Sequence, residues 1–263
     1  MPLQLPEPDQ TRLPRSPLDL VVCQLRFENR PQASEPAVAL GIREALGGEE
    51  RYPRLDQVQS QGFNMLVGSG IPPAVGQIPA ATGWRLQSGD GQWVVSVMPE
   101  HVALETTRYE GWEEFRERML ELVEAAAGQL GPGIEQRLGL RYIDRITAVD
   151  SHVPADWQPY LAPELLGLVL NEALGGAVTA AREQLLLDLG EGFTCTFTHG
   201  FLPGEGGRVD YLLDYDLSRE GGRPFVPDGV REALETLHLD ALKLFHASVT
   251  PALLDLLSEP VAA

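Results

Sequence analysis

The chain has 263 residues, 43% of them hydrophobic and 22% charged, the balance of a folded globular protein and not of a disordered one. Its 38 acidic against 20 basic residues give a formal charge of −18, a field that repels phosphate backbones and anionic lipid and so counts against nucleic acid and membrane as partners. Lys243 is the single lysine, which leaves Schiff-base and P-loop mechanisms without support.

Residues 1–17 hold Pro2, Pro6, Pro8, Pro14 and Pro17, a density that predicts an extended lead-in. This start lacks the charged and apolar regions of a secretory signal, and no later run is long enough to span a bilayer, so the expected location is cytoplasmic. "LDLVVCQLRF" alternates as a half-buried strand, with Val21, Cys23, Leu25 and Phe27 on one face and Val22, Gln24 and Arg26 on the other. Cys23 and Cys195 both sit in apolar alternating segments, as reduced, buried thiols do.

"EPAVALGIREALG" predicts a helix with Ser34 as N-cap and Gly47 at its C-terminal end. A loop-rich region follows, with a short strand at "FNMLVGSG" and a flexible hinge at "GSGIPPAVG". "GWRLQSGDGQWVVSVMPEHVALETTRY" then reads as a three-strand antiparallel meander, its turns at "SGDGQ" and "PEH". Next comes the strongest helix, "EGWEEFRERMLELVEAAAGQLG", whose apolar stripe is Trp112, Phe115, Met119, Leu122, Val123 and Ala126 and whose stop is Gly128 or Gly131.

The strand "EQRLGLRYIDRI" carries Leu138, Leu140, Tyr142 and Ile146 on one face and Arg137, Gly139, Arg141, Ile143 and Arg145 on the other. After it the order recurs. "APELLGLVLNEALGG" predicts a helix, "REQLLLDL", "GFTCTFTHGF" and "RVDYLLDYDLS" predict strands, and "VPDGVREALETLHLDALKLFHASV" predicts a long closing helix. In the last strand Val209, Tyr211, Leu213, Tyr215 and Leu217 oppose Asp210, Asp214 and Asp216.

The expected fold is therefore α+β: an antiparallel sheet with the long helices on one face, as a single integrated domain over 18–263. Its two pseudo-repeated helix-strands-helix halves, about 18–150 and 151–263, would resemble the saddle of TATA-binding-protein-like folds in architecture alone.

If the arginine and aspartate strands share a sheet, their polar rows share one face. Two readings stand. In the first, cross-strand Arg–Asp pairs tie an exposed face together. In the second, a partner docks there, with Arg26, Arg137, Arg141, Arg145, Asp144 and Asp214 as the candidate binding residues. No catalytic constellation emerges. The aspartates are too spread along a strand for a compact cation site, no Cys/His spacing suits zinc, and His238, His101 and Glu105 are weak acid/base candidates only. Metal and other cofactors are not expected.

"SPLDLVVCQLRF", "VALETTRYEGWEEFRERMLELV", "RLGLRYIDRI" and "LHLDALKLFHASVTPALLDLL" together resemble a sporadically distributed bacterial protein family of about this length with no assigned activity, from Ser16 to Leu257. Many of its members have Asn at the position of Asp144. The resemblance implies one integrated domain and an accessory gene product working beside other proteins. The expected function is thus a non-enzymatic binding or adaptor protein, docking a protein or peptide on the sheet face or in the groove between the halves. A homodimer is also compatible with the sequence. The alternative is a small-ligand sensor or enzyme with a pocket between sheet and helices.

Overall fold

The computed structural model describes residues 5–60 and 81–260. Their elements, in chain order, are β1 (Leu18–Phe27), α1 (Pro36–Ala45), α2 (Gly48–Arg51), β2 (Arg54–Ser60), β3 (Ala81–Gln87), β4 (Trp93–Met98), β5 (His101–Thr106), α3 (Trp112–Leu130) and β6 (Ile134–Ile146). They continue with α4 (Pro163–Leu166), β7 (Arg182–Gly190), β8 (Phe193–Pro203), β9 (Val209–Pro224), α5 (Pro227–Ser248) and α6 (Pro251–Ser258). The readings at "FNMLVGSG" and "GSGIPPAVG" lie outside the described residues.

The nine strands form one antiparallel sheet in the order β2-β3-β4-β5-β1-β6-β9-β8-β7. The fold is α+β, as its alternating and helical segments predict. β1 lies between β5 and β6, with Val22 opposite both Glu105 and Arg141. Its apolar row is completely buried. Connections follow local chemistry: β7 and β8 are joined by Glu191 and Gly192, both at positive φ, the two-residue form that matches strand twist.

α3 ends at Gly131, in the left-handed conformation, and it buries the predicted stripe from Phe115 to Ala126. It packs against β5, α1 and α5, while α5 packs against β6 and β9. One continuous core runs from Val21 to Leu257. Cys23 and Cys195 are free and buried within it.

Three expectations need correction. The N-cap of α1 is Glu35, because the Ser34 hydroxyl donates to the Thr82 carbonyl instead. Residues 54–60 form strand β2, whose polar sequence RLDQVQS conceals an edge position satisfied by β3. The helix expected at "APELLGLVLNEALGG" is a single turn, α4, since Gly167 takes φ 49 and ψ −120 and the chain continues as 3-10 turns. The second half consequently opens with a single turn where the first has the ten-residue α1.

Candidate functional site

Alternation along β6 gives the sheet two chemically different surfaces. On the outer face, each of the three arginines meets carboxylates of β9. Arg141 makes a bidentate pair with Asp214, both bonds 2.7 Å. Arg145 bonds Asp210 at 2.9 Å and the Pro203 carbonyl at 3.1 Å. Arg137 reaches Glu220 at 2.8 Å and Asp216 at 3.0 Å.

The pairing is diagonal: Arg141 stands opposite Asp216 but takes Asp214, and Arg145 stands opposite Leu212 but takes Asp210. Arg137 lies along its own strand over Gly139, where a Cβ would come within 2.3 Å of the guanidinium. Arg26 pairs more loosely with Glu100 at 3.5 Å, and Glu105 pairs with Arg85 at 3.1 Å. Burial and the neighbouring Arg26 charge hold His101 down to about 4.

The inner face holds a pocket of about 580 Å³. It is assembled from β6, β9, the start of α3, one side of α5, α6, residues 9–14, 16 and 17 of the lead-in and Leu18 of β1. Residues 5–17 have no helix or strand, yet they are fastened: the Arg15 amide donates to the Leu257 carbonyl at 2.9 Å, Arg15 pairs with Glu259 at 3.0 Å, and His246 bonds the Asp9 carbonyl at 3.0 Å. These contacts lay the segment over the pocket.

Tyr142 and Asp144 enter the pocket from β6, Tyr215 from β9, and Trp112 and His238 from α3 and α5. His238 stacks on Trp112 at a centroid distance of 4.1 Å and an interplanar angle of 10°, and its Nδ1 shares a 2.9 Å hydrogen bond with the Tyr142 hydroxyl. Burial pushes His238 down to about 4, which leaves the ring neutral at physiological pH. The Trp112 indole donates to Glu235 at 2.9 Å, and Arg116 bonds the same carboxylate at 2.8 Å, tying α3 to α5. Tyr215 donates to the Ser248 hydroxyl at 3.0 Å.

Asp144 is 6% exposed and lines this pocket. No side chain or backbone amide among the described residues bonds its carboxyl. Burial pushes it up to about 8, with smaller contributions from the charges of Asp19 and Asp214.

The structure thus divides the sequence-predicted residues. Arg26, Arg137, Arg141, Arg145 and Asp214 belong to the outer face, whereas Asp144 shares the inner pocket with His238. His101 and Glu105 are on β5 and do not join them.

Sequence reasoning missed a buried pair, Glu135 and Arg219, joined by bonds of 2.8–3.0 Å, with Arg219 also donating to the Gly229 carbonyl at 2.9 Å. Parity alone places Glu135 with the arginines. A register shift between Glu135 and Arg137 turns it to the helix side. Arg219 has the same parity as Tyr215 and Leu217, and that was the available signal.

No protein-family model matches the chain, and no curated protein matches it significantly.

Proposed function

We propose that the protein binds a small organic molecule in the pocket between sheet, helices and lead-in. One observation carries this: the pocket is of ligand size, is walled by Trp112, Tyr142, Tyr215 and Phe245, and holds a buried carboxyl, Asp144, with no partner among the described residues. His238 and Asp144 would fix the orientation of the guest. Their chemistry supports binding more directly than turnover, because the hydroxyl–imidazole contact there, Tyr142 with His238, sets a phenol that burial pushes well above its ordinary value against a ring that burial keeps neutral.

The test is a calorimetric and thermal-shift screen of small organic molecules against wild type and Leu242→Trp, which places an indole in the pocket from the partly exposed side of α5. Ligands that stabilise wild type and lose their effect in Leu242→Trp are expected. Equal responses from both proteins would remove the pocket from the function.

The second reading is a protein or peptide docked on the outer face, as an adaptor in a bacterial cytoplasmic accessory system. The partial exposure of Arg141 and Arg145 supports it. A partner's carboxylates would have to exchange with Asp214 and Asp210, so its gain is set by that difference and not by the full strength of an Arg–carboxylate pair. In either case the sheet reads as two joined halves, about 18–150 and 151–263, in a saddle-like arrangement. The support is that each half contributes one long helix, α3 packed on β5 and α5 packed on β9 and, across the join, on β6.

A further inference from the structure

We infer that the guest of this pocket is an organic cation, an amine with an apolar body, and that Asp144 is its counter-ion. The inference rests on the pocket being a ligand site and deepens that reading.

The buried carboxylates of the chain are treated unequally. Asp210 has Arg145, Asp214 has Arg141, and Glu135 has Arg219. Asp144, equally buried, has no arginine, lysine or hydrogen-bond donor among the described residues. A largely buried carboxyl without a protein partner is costly, and the position it holds opens onto a cavity and not onto packed side chains. A donor arriving from outside would offset that cost.

The surroundings select the sign of the donor. Asp19 and Asp214 add negative potential at Asp144, and the chain's charge of −18 concentrates cations around it. Tyr109, Trp112, Tyr142, Tyr215 and Phe245 line the same space, and aromatic rings attract ammonium groups through their quadrupoles. The hydroxyls of Tyr142 and Tyr215 already bond His238 and Ser248. Among the described lining residues the one arginine, Arg12, is exposed on the lead-in. The interior therefore offers aromatic rings and a carboxyl that is protonated below about pH 8 and releases that proton to solvent when an ammonium takes its place, so an ammonium with an apolar body satisfies both.

Three probes of similar shape decide the matter: phenethylamine, 2-phenylethanol and phenylacetate, titrated calorimetrically into wild type, Asp144→Asn and Leu242→Trp. Wild type is expected to bind the amine at least about tenfold more tightly than the alcohol, a difference of ~1.4 kcal/mol. Asp144→Asn should erase that preference, the amine losing about tenfold more affinity than the alcohol. Thermal unfolding checks that the variant is folded, and Asp144→Ser substitutes for it if it is not.

If the alcohol or phenylacetate binds wild type as well as the amine does, or if Asp144→Asn keeps the preference, the cation inference is wrong. Should those probes bind and be lost in Leu242→Trp, the pocket remains a ligand site of different chemistry. If no probe binds at millimolar concentration and the wider screen does not distinguish Leu242→Trp, the inference and the pocket reading both fail.

Discussion

Asp144 illustrates how one strand position acquires a chemistry that its neighbours lack. Arg141 and Arg145 point outward into carboxylates, while Asp144, between them, points inward. Its carboxyl is held at about 8 by burial, against an ordinary value of 3.8. Between those two pH values the folded chain keeps a proton that the unfolded chain has released. Stability therefore falls as pH rises through this window, by at most roughly 1.4 kcal/mol per pH unit, and levels off above it.

Asp144→Asn removes the titration. It is expected to stabilise the protein at pH 9 by on the order of 2 kcal/mol and to change little at pH 4, as urea unfolding at the two pH values would show. A difference independent of pH would contradict the assignment. The buried pair Glu135–Arg219 makes the opposite case. Arg219→Ala strands a buried carboxylate and should cost about 3–5 kcal/mol, whereas replacing both partners, as in Glu135→Leu with Arg219→Met, should recover much of the loss. Denaturant midpoints of the single and double variants measure this.

At the scale of elements, β6 and β9 form a ladder of ion pairs in the middle of the sheet. The identity of the outward row is legible in the sequence, because alternation places Arg137, Arg141 and Arg145 together and Asp210, Asp214 and Asp216 together. Which arginine meets which aspartate is set by register and strand twist, and those are properties of the paired strands.

The ladder is asymmetric in exposure, with Arg141 at 44% and Asp214 at 9%. Arg141→Ala leaves a buried acid unpaired, while Asp214→Ala leaves a guanidinium still reached by water. Arg141→Ala is accordingly expected to be the more destabilising, by about 1 kcal/mol. Equal losses in thermal unfolding would mean that solvent reaches Asp214 as well. Gly139→Ala should leave the fold intact but displace Arg137 from its place between the strands.

For the whole molecule, the burial of titratable groups gives stability a predictable dependence on pH. His238 and His101 are both lowered to about 4 from 6.5. Between those values the unfolded chain binds protons that the folded chain refuses, so stability is lost as pH falls from 6.5 to 4. The two histidines together outweigh the opposing slope of Asp144 in that range, and above 6.5 Asp144 acts without them. Thermal stability should therefore be greatest near pH 6–7. His238→Phe, which keeps the ring against Trp112, should make the acid limb shallower, and an unchanged limb would show that His238 does not titrate on unfolding.

By itself the sequence determined the local features: the alternation of β1, β6 and β9, the stripe of α3, the long α5 and the acidic field. These follow from side-chain periodicity and backbone preference, which act within a few residues. It misjudged β2, whose polar residues suit an edge strand, and the length of α4, where a glycine ends the helix. The tertiary structure alone decided the rest. The pocket draws on residues from Asp9 to Ser258, and no periodicity links such distant segments. Alternation already sets Asp144 in step with Tyr142 and Ile146 and Asp214 opposite the apolar row of its strand, but only folding gave Asp214 an arginine and Asp144 a cavity.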